Sequence, residues 1–212
     1  MSKLVFLDDK RGVLSWMLTQ LSLIMAAGVL IGAIAGITFY TDWQKEAEAR
    51  NIALNFVATV ESVDLRDFQE KIIYTLPSKS YNYKVEISTD YVTVIREDGT
   101  IKNKIFGREA FIVKPYVRTP VQNWSSSNEL HDFLKSKYGQ RGDTYDPITA
   151  NQKEKVISYL KNEMSHTAHE MSANPLKINA NEPVFIEKTF VCFKGKSGEI
   201  ERKGIVIIHK GV

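Results

Sequence analysis

The chain opens on a hydrophobic block and then changes rhythm twice. Residues 12–41 carry no Asp, Glu, Lys, Arg or His for 30 consecutive positions. An uncharged apolar run of 18 residues or more predicts a membrane-spanning helix. Trp16 and Tyr40 bracket its apolar part, with Trp43 just beyond; aromatic rings favour the two membrane interfaces. From Trp16 to Tyr40 a helix covers about 36 Å, enough for a roughly 30 Å hydrocarbon core and its margins.

No Gly/Ser/Pro linker follows the block. Instead Ala49, Ile52, Ala53, Phe56, Val57, Val60 and Val63 recur three and four apart, an apolar stripe on an otherwise polar helix. One helix over about 13–63 is predicted, half in lipid and half packed on a domain. After Val63 the period becomes two, and strands are predicted at 71–76, 81–88, 91–95, 100–106 and 109–117. Asp98-Gly99 marks a tight hairpin turn. Ser126 with Glu129, and Thr149 with Gln152, read as capping boxes that open two helices. Gly139 ends the first and Asn174-Pro175 the second. A terminal hairpin closes the chain, with Val191 and Phe193 facing residues 205–208, a central strand. Grouped strands without regular βαβ alternation predict an α+β fold with an antiparallel sheet and two helices. The expected organisation is a short N-terminal segment 1–12, a transmembrane helix 13–41, an amphipathic helix 42–63 and an extracytoplasmic α+β domain 64–212.

Composition narrows the function. A net charge of +3 over 212 residues, with no run of five like charges, argues against a nucleic-acid partner. One cysteine, Cys192, cannot form an internal disulfide and reads as a buried core thiol. Lys3, Lys10 and Arg11 precede the span, while Lys45 and Arg50 follow it. With the size of the C-terminal part, this favours a cytoplasmic N-terminus and an outer domain.

Three readings of the N-terminal segment compete. A cleaved secretory signal could use Ala33-Ile34-Ala35, although the apolar stretch before it is long for a signal. An uncleaved anchor is the second. The third rests on Lys10-Arg11-Gly12-Val13-Leu14, where a basic pair, a glycine and two apolar residues open the hydrophobic helix. This resembles the class III leader of archaeal type IV pilins and archaellins. The resemblance covers about the first 60 residues and implies a dedicated leader peptidase cutting between Gly12 and Val13. Two features depart from it. Met17 stands at the fifth mature position, where bacterial pilins carry a glutamate, and Asp8 and Asp9 adjoin the basic pair.

Gly28, Gly32 and Gly36 lie four residues apart, a face on which helix backbones approach closely in lipid. They are the candidate contact for self-association or for a partner span. Asn123-Trp124-Ser125 makes Asn123 a candidate glycan acceptor on an exported domain. His166 and His169 are spaced to share a metal, but the pattern lacks the intervening glutamate of zincins, and solvated helix histidines are expected. The loop 138–148, which contains Arg141-Gly142-Asp143, reads as a solvated turn. No nucleophile elbow, phosphate loop or carboxylate pair emerges. A non-catalytic protein without cofactor or metal is expected: a membrane-anchored, pilin-like or pseudopilin-like subunit. The alternatives are an anchored ectodomain that binds a ligand or envelope partner, and an anchored enzyme.

Overall fold

The computed structural model describes residues 8–97, 104–119, 122–195 and 197–210, with backbone alone for 8–11. The predicted Asp98-Gly99 turn lies outside the described residues. The chain divides into two compact units, Met1–Glu46 and Ala47–Val212.

Helix α1 runs unbroken over Asp8–Asp64 and so extends through both units. In the first unit its apolar side chains, from Val13 and Trp16 to Tyr40 and Trp43, are exposed. In the second unit the predicted stripe is buried throughout, from Ala49 to Val63.

The second unit adds eight described strands in two sheets. They are β1 (Glu70–Thr75), β2 (Tyr83–Ile87), β3 (Tyr91–Arg96), β4 (Lys104–Ala110), β5 (Tyr116–Arg118), β6 (Leu176–Asn179), β7 (Pro183–Lys194) and β8 (Ile200–Lys210), with helices α2 (Ser127–Tyr138) and α3 (Ala150–Ala173) between β5 and β6. One sheet has the order β1-β7-β8-β5 and the other β4-β3-β2-β6. The fold is α+β, as the pattern predicted.

Two cores result. In the first, Phe56, Val60 and their neighbours on α1 meet Val85 and Val94 from one sheet, and Ile186 and Ile208 from the other. The second lies on the opposite face of β7 and β8, where α2 and α3 bring Leu130, Leu134 and Leu160 onto Val191, Phe193, Ile205 and Ile207.

Several expectations change in detail. The strand expected over 109–117 splits. β4 pairs with β3, then Pro115, which has no N–H to donate, precedes the three-residue β5. β5 pairs parallel with β8, so the sheet is mixed rather than purely antiparallel. Strand β6, four residues long, falls below what periodicity resolves. Val191 and Phe193 share a core with Ile205 and Ile207, but their cross-strand partners are Lys203 and Glu201. The Ser126 cap forms, its hydroxyl accepting from Glu129 N–H. Glu129 returns its carboxylate to Ser125 rather than to Ser126. Thr149 precedes α3 without a side-chain cap, and its N–H and hydroxyl both donate to Gln140 Oε1.

Gly107 of β4 lies close against the backbone of α1. A Cβ there would lie 2.9 Å from the backbone N and Cα of Arg50.

Candidate functional site

The exposed part of α1 is apolar and, over residues 12–41, uncharged. Among the described residues, one helix is long and apolar enough to cross a membrane. A span must satisfy its polar groups internally, because lipid offers no partners. The hydroxyls of Thr19, Ser22 and Thr38 each donate to the carbonyl four residues back, at 2.9 Å, and Thr41 donates to Thr38. At one end the Tyr40 and Trp43 rings lie 6.2 Å apart, and Gln44 donates to the Tyr40 hydroxyl.

The sequence-predicted residues of this helix fall as follows. Gly12 and Val13 lie inside α1, four and five positions from its start at Asp8. Gly28, Gly32 and Gly36 are exposed, with open space where a Cβ would stand.

In the domain, Asn123 is exposed in a bend, next to fully buried Trp124. Its sequon partner Ser125 is buried and donates to Glu129 at 2.9 Å. His166 and His169 are exposed on α3, and His166 faces Glu170 at 3.6 Å. Cys192 is buried, with Thr144 Oγ1 at 4.0 Å.

The loop 138–148 is solvated over most of its length but anchored at Gly142 and Ile148, its buried residues. Cys192 N–H donates to the Gly142 carbonyl at 2.7 Å, and Gly142 packs on Ile148, Val191 and Leu134 with φ +71°. Asp143 Oδ1 accepts from the N–H groups of Tyr145 and Asp146 at 2.9 and 2.8 Å. Burial pushes the Asp143 carboxyl up, but those bonds and the Arg141 guanidinium outweigh it and lower it. Arg141 is held by Asp132 of α2 and by Asp143, so both charged members of the Arg-Gly-Asp tripeptide are engaged. Tyr145 stands at the tip, 98% exposed.

Sequence reasoning missed the polar ties along β7. Glu187 and Lys188 are adjacent, buried and on opposite faces. Glu187 accepts from Ser127 N–H at the start of α2 at 2.7 Å, from Lys71 at 2.7 Å and from His209 Nε2 at 3.1 Å. Burial pushes its carboxyl up, but these donors outweigh it and hold it at about 2. Lys188 Nζ donates to the carbonyl and carboxylate of Asp64, the last residue of α1. Two charges inside an apolar strand sequence were the available signal. A pocket of about 220 Å³ opens beside them, lined by Gln69, Lys71, Ser127 and Asn128 among others. Glu187 accepts from three donors. His209 Nδ1 lies 2.7 Å from the Lys210 carbonyl. The group holds the ends of α1 and α2 to the sheet.

A second buried cation, Arg118, lies 3.9 Å over the Trp124 ring and 3.3 Å from Glu163. Burial pulls its pKa down against Glu163, and burial pushes Tyr116 and Tyr159 beside it up to about 12. Tyr116 donates to the Leu160 carbonyl and Trp124 to the Tyr159 hydroxyl, which ties β5 to α3. Among the described residues no cluster of three or more His, Cys, Asp or Glu could hold a metal ion. The chain matches no family model, no curated protein and no solved structure.

Proposed function

We propose that the chain is a single-pass, membrane-anchored, non-catalytic protein. Its N-terminus is cytoplasmic and its α+β domain extracytoplasmic, and it works as a pilin-like or pseudopilin-like subunit. The observation that carries this reading is α1 itself. One uninterrupted helix supplies an exposed, uncharged, internally hydrogen-bonded stretch and then the central stripe of the domain's first core. A flexible tether would need neither that continuity nor that packing. The glycines at 28, 32 and 36 offer the contact through which neighbouring helices associate in lipid. A leader peptidase would remove residues 1–12.

A second reading, an anchored ectodomain that binds a ligand or an envelope partner, draws support from the loop 138–148. Its carboxylate bonds hold Tyr145 outward on a fixed support, and binding residues concentrate on loops positioned that way. Mass spectrometry of the native N-terminus separates the two. A mature chain beginning at Val13 is the expected result. An intact Met1, or any other start, contradicts the leader and leaves the anchored ectodomain.

A further inference from the structure

The sheet β1-β7-β8-β5 ends in two unlike edges. β8 has eleven residues, and β5 pairs with residues 207–209 alone. Residues 200–206 therefore have an outer edge that no described strand covers. Along it lies a groove of about 310 Å³, lined by Val113, Met164 and Ile205, by three lysines (Lys114, Lys161 and Lys203) and by Asp64, whose carboxylate is paired with Lys188. Lys161 and Lys203 make no ion pair among the described residues. The opposite edge is β1, six residues long and paired only with β7 among the described strands. It carries exposed Ile73, 61% accessible, with exposed Phe68 just before it. Asp67, also exposed, makes no ion pair among the described residues. Unpaired strand edges with apolar side chains template pairing with another chain.

We propose that a second copy of this chain occupies the groove, the β1 edge of one molecule adding to the open β8 edge of the next. The strand sense agrees. β1 and β8 are both antiparallel to β7, so they run the same way. A neighbour related by translation then presents β1 parallel to β8, as β5 already lies. The faces agree too. Ile73 is paired with Phe185, on the face of β7 that also carries Glu187, Val191 and Phe193, and Lys203 and Ile205 lie on the corresponding face of β8. In a continued sheet Ile73 meets Met164, Ile205 and the stem of Lys203, and Asp67 approaches the groove lysines. The contact is heterologous, so it propagates from copy to copy instead of closing as a symmetric dimer. Such an edge is small, and confinement of both copies to one membrane raises their effective concentration. The contact does not depend on the glycine face, and its test separates the two.

The test uses full-length chains in a Cys192→Ala background, one carrying Ile73→Cys and the other Met164→Cys. The two are differently tagged, co-expressed in one membrane and treated with a short bismaleimide. Val113→Cys serves as a second groove position. The expected result is a mixed dimer several-fold above either variant alone, persisting when Gly28, Gly32 and Gly36 are all replaced by Leu. Absence of a mixed dimer at both groove positions, with thermal unfolding unchanged, overturns the proposal. So does an Ile73→Cys self-dimer as abundant as the mixed one.

Discussion

Glu187 and Lys188 are consecutive residues of one strand, and each secures the end of a different helix. Glu187 meets the N–H of Ser127 at the N-terminus of α2, and Lys188 meets the carbonyl of Asp64 at the C-terminus of α1. Alternation along the strand sends them to opposite faces. Each charge has the sign that the helix dipole favours at that end. Glu187→Ala leaves His209 and Ser127 N–H facing a void and should cost about 3 kcal/mol, as when one partner of a buried ion pair is removed. Lys188→Ala strands only the α1 terminus, with Asp64 partly in water, and should cost about 1–2 kcal/mol. Denaturant midpoints of the full chain in detergent read both.

Acid should weaken the domain through the same residue. The folded Glu187 carboxyl is held at about 2, below its ordinary 4.5. A depressed carboxyl contributes stability that is present above the unfolded value and is lost as pH falls through the folded one. Stability should therefore decline between pH 4.5 and 2. Glu187→Gln should start lower and show a shallower decline over that window. Glu182, also held at about 2 by Lys210 and Asn179, is much more exposed, so screening reduces its share. Unfolding midpoints measured at several pH values give both slopes, and equal slopes would contradict the assignment.

Gly107→Ala should destabilise the domain, since the residue lies beside the register shift of the β3–β4 ladder and against α1. Its Cβ would press on the Arg50 backbone at 2.9 Å, and backbone cannot swing aside as a side chain can. Overpacking of this kind costs about 1–3 kcal/mol. Thermal unfolding checks it, and an unchanged midpoint would show that α1 shifts freely against β4.

The two cores should respond differently to loss of an aromatic and loss of a buried charge. Phe56 is fully buried, with its ring edge-on to Tyr74 at 5.1 Å, and Phe56→Ala should cost about 3–5 kcal/mol. Arg118→Met keeps the volume beside Trp124 and removes a buried cation whose Nε has no partner. Because Glu163 reaches water, that change should lie within about 1 kcal/mol of neutral. Denaturant titration ranks the pair, and a larger loss for Arg118→Met would reverse the account.

Much of the fold was legible because it depends on periodicity. All seven stripe residues from Ala49 to Val63 are buried, and the helix that begins after Ser126 has the cap its sequence implies. What periodicity cannot express was not legible. Nothing in Tyr116-Val117-Arg118 indicates a parallel partner 91 positions later, since that pairing depends on where α3 and β7 place β8. The polarity of 138–148 suggested solvent, yet Asp143 and Asp146 turn inward to bond the loop's own backbone. Glu187 and Lys188 look misplaced in an apolar strand until the two helix ends lie beside them. The long apolar helix itself was plain, because 30 consecutive uncharged residues leave α1 apolar over a length that could cross a membrane.

The central claim is that α1 holds the chain in a membrane with the domain outside. Tyr145 provides the reporter, since it is 98% exposed and the native Cys192 is buried. Tyr145→Cys in a Cys192→Ala background should react with a membrane-impermeant maleimide in intact cells, on protein that stays in the pellet after an alkaline wash. Labelling that appears only after the cells are broken would contradict the account.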